Sequence, residues 1–267
     1  ESLQLLVKFA SVFDLTYTRF LDLQKAEAQA REAQIEASLE RVRARTMAMH
    51  NSEDVSVAAA TMFSELEKLG IENFRGGILN IKGNKTMDVW SVNRSADSDP
   101  NDPEGGGKTI RAAGQWDMTL HPWWRQLYDG WVNKEELLHY FLTGKEKEDY
   151  VKILDARRDY IPGGVRELPD CHIQGYYFGE GAVWTFSLHP HSDEDKQVMK
   201  KFAAVFSLTF RRYQDLKKAE AQAREATIEA ALEKVRGRAM AMHDSSDLSA
   251  TASIIFTELR KLGINPI

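Results

Sequence analysis

The chain of 267 residues holds one cysteine, Cys171. That excludes an internal disulfide framework and makes the reducing cytoplasm the expected setting. Prolines number seven, and neither proline nor glycine occurs in the first 50 residues, so nothing there interrupts a helix. No apolar run approaches the ~20 residues that a membrane span needs. Neither sign of charge prevails: 35 Lys and Arg against 40 Asp and Glu leave a formal charge of −5 spread along the chain. Nucleic acid and anionic membrane are therefore not expected partners. The HExxH, GxSxG and CxxC signatures are missing as well, so no catalytic residue and no metal ligand is assigned.

What the chain does have is a repeat. Lys8 to Ile71 matches Lys201 to Ile264 without a gap, with about two-thirds of the positions identical. KAEAQARE recurs as Lys25–Glu32 and Lys218–Glu225, and AMH as Ala48–His50 and Ala241–His243. The repeated text is a charged helical connector, not a compact domain. The expected organisation is a window on a longer tandem array: the exit helix of a preceding unit at 1–25, a coiled-coil connector at 26–53, one whole unit at 54–215, a second connector at 216–246, and the first helix of a following unit at 247–267.

Within the copies, apolar spacing is helical. Val12, Phe13, Thr16, Tyr17, Phe20 and Leu23 form one stripe. Ile35, Leu39, Val42, Thr46 and Met49 then step by alternating fours and threes, as do Ile228, Leu232, Val235, Ala239 and Met242, which is the a/d seam of a coiled coil. A long alanine-rich helix cannot bury such a seam against a small domain along its whole length. The expected partner is the same helix of a second copy, in a parallel homodimer joined through Ile35, Leu39, Val42, Met49, Ile228, Leu232, Val235 and Met242. Asn51-Ser52 and Asp244-Ser245 supply N-cap chemistry for a following amphipathic helix that Gly70 or Gly263 ends.

Between the copies the period shortens. Gly77–Ile81 and Met87–Val92 predict a hairpin around Gly83-Asn84, and Thr109–Met118 a third strand. Ser95–Lys108 predicts a polar loop, Pro122 to Arg158 a mostly helical stretch that Pro162-Gly163-Gly164 breaks, and His172–Phe178 with Ala182–Leu188 a second hairpin across Gly179-Glu180-Gly181. From Asp193 an exit helix runs without a break into the second connector. This order is α+β, an antiparallel sheet with helices segregated to one side and long coiled-coil helices flanking it.

The element order, the strand Trp90–Val92, the strand Tyr176–Phe178 and the connector text Glu36–His50 together resemble a GAF domain of a bacterial tandem-GAF signalling protein of the histidine-kinase sensor type. The resemblance implies a non-catalytic sensor and relay in a two-component pathway, feeding an output domain of the same parent chain. Two alternatives stand beside it: a structural spacer and dimerisation module without a ligand, and a kinase fragment with His50 or His243 as phosphoacceptor. Neither histidine carries the proline that follows the family's phosphoacceptor.

Cofactor signatures fit poorly. Cys171-His172 has the Cys-His pair of pigment-binding GAF domains without the rest of their pattern, so a bilin is not expected. Asn133-Lys134, Phe141 and Lys145-Glu146 follow the cyclic-nucleotide signature but put lysine where its aspartate belongs, so that ligand is not expected either. Gly107-Lys108-Thr109 ends like a P-loop, yet Asp102 stands where the motif needs glycine. His189, His191 and Asp193 (HPHSD) read as a turn capped by Ser192 or Asp193, and His121-Pro122 as a helix start. That leaves the aromatics. Small-molecule pockets are mostly apolar, and Trp116, Trp123, Trp124 and Tyr177 are the candidate lining of one between sheet and helices.

Overall fold

A computed structural model describes residues 2–94, 108–157, 168–245 and 247–264. The loop expected from Ser95 lies, up to Gly107, outside the described residues, as does Pro162-Gly163-Gly164. The chain divides into two compact units, Glu1–Met49 with Glu53–Arg211, and His50–Ser52 with Arg212–Ile267.

In the first unit the uninterrupted opening becomes α1 (Ser2–Met47), followed by α2 (Val55–Lys68). Then come β1 (Arg75–Lys82), β2 (Thr86–Arg94), β3 (Lys108–Asp117), α3 (Pro122–Val132), β4 (Leu137–Leu142), α4 (Gly144–Asp155), β5 (Cys171–Phe178) and β6 (Gly181–Ser187). The helix α5 (Asp193–Met240) follows, its residues up to Arg211 in this unit. The six strands form one sheet in the order β3-β2-β1-β6-β5-β4, every neighbouring pair antiparallel. The class is α+β, as the element order predicts. One strand is a correction: Leu137–Leu142 falls in the stretch expected to be helical. Its six residues (LLHYFL) are too few and too apolar for period to decide, and pairing with β5 fixes them as an edge strand.

Strand alternation sends successive side chains to opposite faces. Ile78, Trp90 and Val183 share one face through the β1–β2 and β1–β6 registers, and there Trp90 and Phe178 meet Phe210 and Phe206 of α5. Phe63 of α2 packs against Gly76 on the same face. The long helices thus gather on one side, and the short α3 and α4 cover the other, a second helical layer that the expectation of helices on one side did not include. The second core joins Leu79, Val89, Trp116, Trp123, Trp124, Leu127, Tyr150, Ile173, Trp184 and Phe186.

The first seam has a different partner from the one its spacing suggests. Ile35, Leu39, Val42 and Met49 are all buried within the single chain, Leu39 to 1% exposure. The helix α1 packs on α2, and Thr46 meets Thr209 of α5, so these four residues are not available to a second copy. At the same hairpin Glu65 accepts from Arg41 Nη2 at 2.6 Å and from Lys68 Nζ at 2.8 Å. Burial alone would raise the Glu65 carboxyl, but the bonds from Arg41, Lys68 and Ser38 outweigh it and hold it below its ordinary value. Farther up α1, Phe9, Val12, Phe13, Tyr17 and Phe20 are exposed. In the second copy of this text Phe202, Val205, Phe206 and Phe210 are buried in the sheet-facing core of the unit.

The second unit repeats the hairpin with the later part of α5 and α6 (Asp247–Lys261). Lys234 and Lys261 bind Glu258 at 2.7 and 3.0 Å, the counterparts of Arg41, Lys68 and Glu65. Its apolar positions are more open. Leu232 is 44% and Phe256 49% exposed, Ile228, Val235 and Met242 half-buried.

Candidate functional site

The α3/α4 side of the sheet holds an aromatic cluster enclosing a cavity of about 20 Å³, lined by Arg75, Leu79, Met87, Val89, Ser91, Trp116, Trp123, Trp124, Tyr150 and Trp184. Local sequence explains how each arrives. In β1, Arg75 and Leu79 are in phase, and in β2 so are Met87, Val89 and Ser91. The β2–β3 register slips between Asp88 and Trp90, where Gly114 takes φ 74°, and this irregularity sets Trp116 opposite Met87. His121 opens α3 as its N-cap, accepting from Trp123 N at 3.3 Å while Nε2–H donates to Glu146 O at 2.9 Å. That cap fixes the two consecutive tryptophans at the start of the helix. Trp124 stands edge-on to Trp116 at 5.2 Å, and Trp123 edge-on to Tyr150 at 6.0 Å.

Trp184 lies against β1 because residue 77 is glycine: a Cβ there would come within 2.7 Å of the indole and 2.2 Å of Trp90 O. The Arg75 guanidinium lies 5.8 Å from the Trp184 ring, 5.5 Å from Phe186 and 6.0 Å from Tyr150, a cation on aromatic faces. Burial holds the Tyr150 hydroxyl in its neutral form. The polar atoms of this wall are unusual. Ser91 Oγ, Trp123 Nε1 and Trp184 Nε1 are buried with no hydrogen-bond partner.

Of the four residues expected to line a pocket, Trp116, Trp123 and Trp124 converge here. Tyr177 does not line the cavity. Its hydroxyl donates to Leu127 O at 3.0 Å and sits over Gly130, so it secures α3 to the sheet. Arg75, Ser91, Tyr150 and Trp184 are lining residues that the sequence reading did not select. The available signal was a serine and an arginine in apolar phase on two strands.

Other candidates disperse. Cys171 is wholly buried, and burial pushes its thiol up to about 11, far from a reactive thiolate. Its neighbour His172 turns to the other face and meets His139 at 2.9 Å. His191 accepts from the Tyr176 hydroxyl at 2.6 Å and donates to Glu72 O at 3.0 Å, whereas His189 is exposed beside Glu72. Ser192 and Asp195 form the reciprocal cap of α5. His50 and His243 are exposed and lie beyond the ends of α1 and α5. Among the described residues no three His, Cys, Asp or Glu side chains gather as a metal set, and no helix is long and apolar enough to cross a membrane.

No protein-family model matches the chain. No curated protein matches it either. Among solved structures, the chain is similar to a methyl-accepting chemotaxis protein fragment described as residues 122 to 287, with a TM-score of 0.33 and 14% sequence identity, over 67% of this chain and 98% of that one.

Proposed function

We propose that this chain is a non-catalytic sensor and relay unit of GAF-like type from a bacterial, cytoplasmic two-component signalling protein. A change at the aromatic cavity shifts the packing of α1 and α5 on the opposite face of the sheet, and the long helices carry that shift toward an output domain of the parent protein. One observation carries the reading. On β2 the consecutive residues Trp90 and Ser91 stand back to back: Ser91 lines the cavity, and the Trp90 ring meets Phe210 of α5 edge-on at 5.9 Å. Packed interfaces switch between discrete arrangements, so a small displacement of one strand can be passed to the helices. A second copy is the proposed partner of the long helices, through Ile228, Leu232, Val235 and Met242.

Filling the cavity tests the relay without any ligand. In the full chain, Ser91→Leu should change amide hydrogen exchange in residues 35–47 of α1 and 198–210 of α5. A change confined to β2, α3 and α4 would defeat the proposal.

The size of the cavity, about 20 Å³, favours a second reading, in which the unit is a spacer with a filled core. A spacer answers Ser91→Leu with a loss of stability alone, and exchange in α1 and α5 then follows global unfolding.

A further inference from the structure

The repeat supplies the same helix face twice, once covered and once open. Phe9, Val12, Phe13 and Tyr17 of α1 correspond to Phe202, Val205, Phe206 and Phe210 of α5. The α5 residues are buried, and aromatic contacts show by what. Phe206 and Phe210 meet Phe178 of β5, and Phe210 meets Trp90 of β2. The α1 residues are all exposed, Phe13 at 71% against 0% for Phe206. Leu15 and its counterpart Leu208 are exposed in both copies, at 71% and 53%, so the face turned from the sheet is open in each. A contiguous apolar face left exposed marks an interaction site.

We infer that the α1 face Phe9, Val12, Phe13 and Tyr17 docks on the sheet of another unit of this fold, placed before it in the parent protein, in the position that α5 takes here. The inference stands on the repeat and is independent of the relay proposed above. A seam between two copies of α1 fits the face less well. Coiled coils favour aliphatic residues at a and d. This face is largely aromatic, and the adjacent pairs Val12-Phe13 and Thr16-Tyr17 make it wider than such a seam, as suits a helix laid on a packed surface. In α5 the matching Val205-Phe206 and Thr209-Phe210 are all buried. The sheet of a second copy of this chain is also a poor host. Its own α5 fills that face, and charge opposes an exchange. Ser207 Oγ donates to Glu180 Oε2 at 3.3 Å, and Arg211 Nε donates to Glu180 Oε1 at 3.1 Å. Asp14 and Thr18 hold those two positions in α1. Docked on this sheet, α1 would set a carboxylate against Glu180 and remove its guanidinium partner, and like charges in contact repel. The covering unit therefore has a neutral or basic residue where this one has Glu180, in the turn between its fifth and sixth strands.

The test compares this chain with the parent protein lengthened toward its N-terminus by one repeat. Amide hydrogen exchange in residues 9–17 should be at least about tenfold slower in the lengthened chain. There Phe13→Glu should lower the melting temperature of the added unit by about 10 °C, and Leu15→Glu by under about 2 °C, following the burial of Phe206 and the exposure of Leu208. In this chain alone, Phe13→Glu should leave the melting temperature and the sedimentation coefficient unchanged. Four outcomes overturn the inference: exchange in residues 9–17 that is equally fast in both chains; equal effects of Phe13→Glu and Leu15→Glu on the added unit; a Phe13→Glu that lowers the sedimentation coefficient of this chain, which would make a second copy the cover; or an acidic residue at the Glu180 position of the added unit. If Phe13→Glu leaves the lengthened chain unfolded, as judged by circular dichroism, the exchange comparison on the unaltered chains decides. None of these outcomes bears on the relay, which Ser91→Leu tests separately.

Discussion

Thr209 of α5 donates its hydroxyl hydrogen to Thr46 Oγ1 of α1 across 2.5 Å. The direction is set by Thr46, whose own hydrogen goes to Val42 O at 2.9 Å. This buried bond joins the incoming and exit helices. Replacing Thr46 with valine keeps the volume and orphans the Thr209 hydroxyl, at a cost of about 1–3 kcal/mol. Thr209→Val should cost less, because Thr46 keeps its bond to Val42 O, and the double variant should cost clearly less than the sum of the two. Urea denaturation of the four chains gives the coupling, and strict additivity would mean that the bond contributes nothing.

The two copies of the seam should answer the same substitution differently. Leu39 is buried at 1% exposure and its counterpart Leu232 is 44% exposed. Leu39→Glu places an unpaired carboxylate in a packed interior and should cost more than about 3 kcal/mol, seen as a large drop in the urea midpoint. Leu232→Glu should leave the midpoint nearly unchanged and lower the sedimentation coefficient if the proposed dimer uses this face. An unchanged sedimentation profile in a chain that is dimeric would remove Leu232 from the interface.

A parallel contrast holds at the hairpin ion pairs. Glu65 receives two bonds from the Arg41 fork at 2.9 and 2.6 Å, whereas Glu258 receives a single lysine bond from Lys234 at 2.7 Å. Both bonds end on the same carboxylate oxygen, Oε2, and two charge-assisted bonds from one planar guanidinium hold that oxygen more firmly than one from an ammonium. Glu65→Gln should therefore cost about 2 kcal/mol in thermal or urea melts, and Glu258→Gln under about 1 kcal/mol. Equal costs would show that the hairpins are held alike despite the change from arginine to lysine.

Much of this architecture is legible in the chain. The absence of proline and glycine before Asn51 and from Asp193 to Arg236 gives most of α1 and α5, and the Gly83-Asn84 turn gives the β1–β2 hairpin. The strand β4 is not legible, because LLHYFL suits either period and only its pairing with β5 decides. The burial of Ile35, Leu39, Val42 and Met49 escapes the seam argument for a related reason. Heptad spacing states that a face is apolar and not which element covers it, and here α2 and α5 do. At the cavity, three tryptophans stand out by composition. Arg75 and Ser91 do not, since their meaning depends on a register that brings β1, β2 and β6 side by side.

Acid should loosen the fold through two buried histidines. Burial lowers the pKa of His121, facing Glu146, Asp149 and Arg125, and that of His191, facing Glu72, Asp195 and Lys196. Each group takes up a proton more readily in the unfolded chain, near the ordinary 6.5, than in the folded one. Their contribution to stability is complete above that value and is lost as the pH falls from it through the depressed folded values. The melting temperature should drop between pH 7.5 and pH 5, and the Cε1–H signals of both rings should titrate below the ordinary value. A folded-state titration at or above it would contradict the assignment.

The relay itself is tested most directly at the contact that joins the two long helices. In the double variant Thr46→Cys/Thr209→Cys, with Cys171 buried out of reach, the rate of disulfide formation reports how α1 and α5 pack. Adding Ser91→Leu on the far face of the sheet should change that rate severalfold, because Trp90 couples β2 to Phe210. An identical rate with and without the filled cavity would contradict the account.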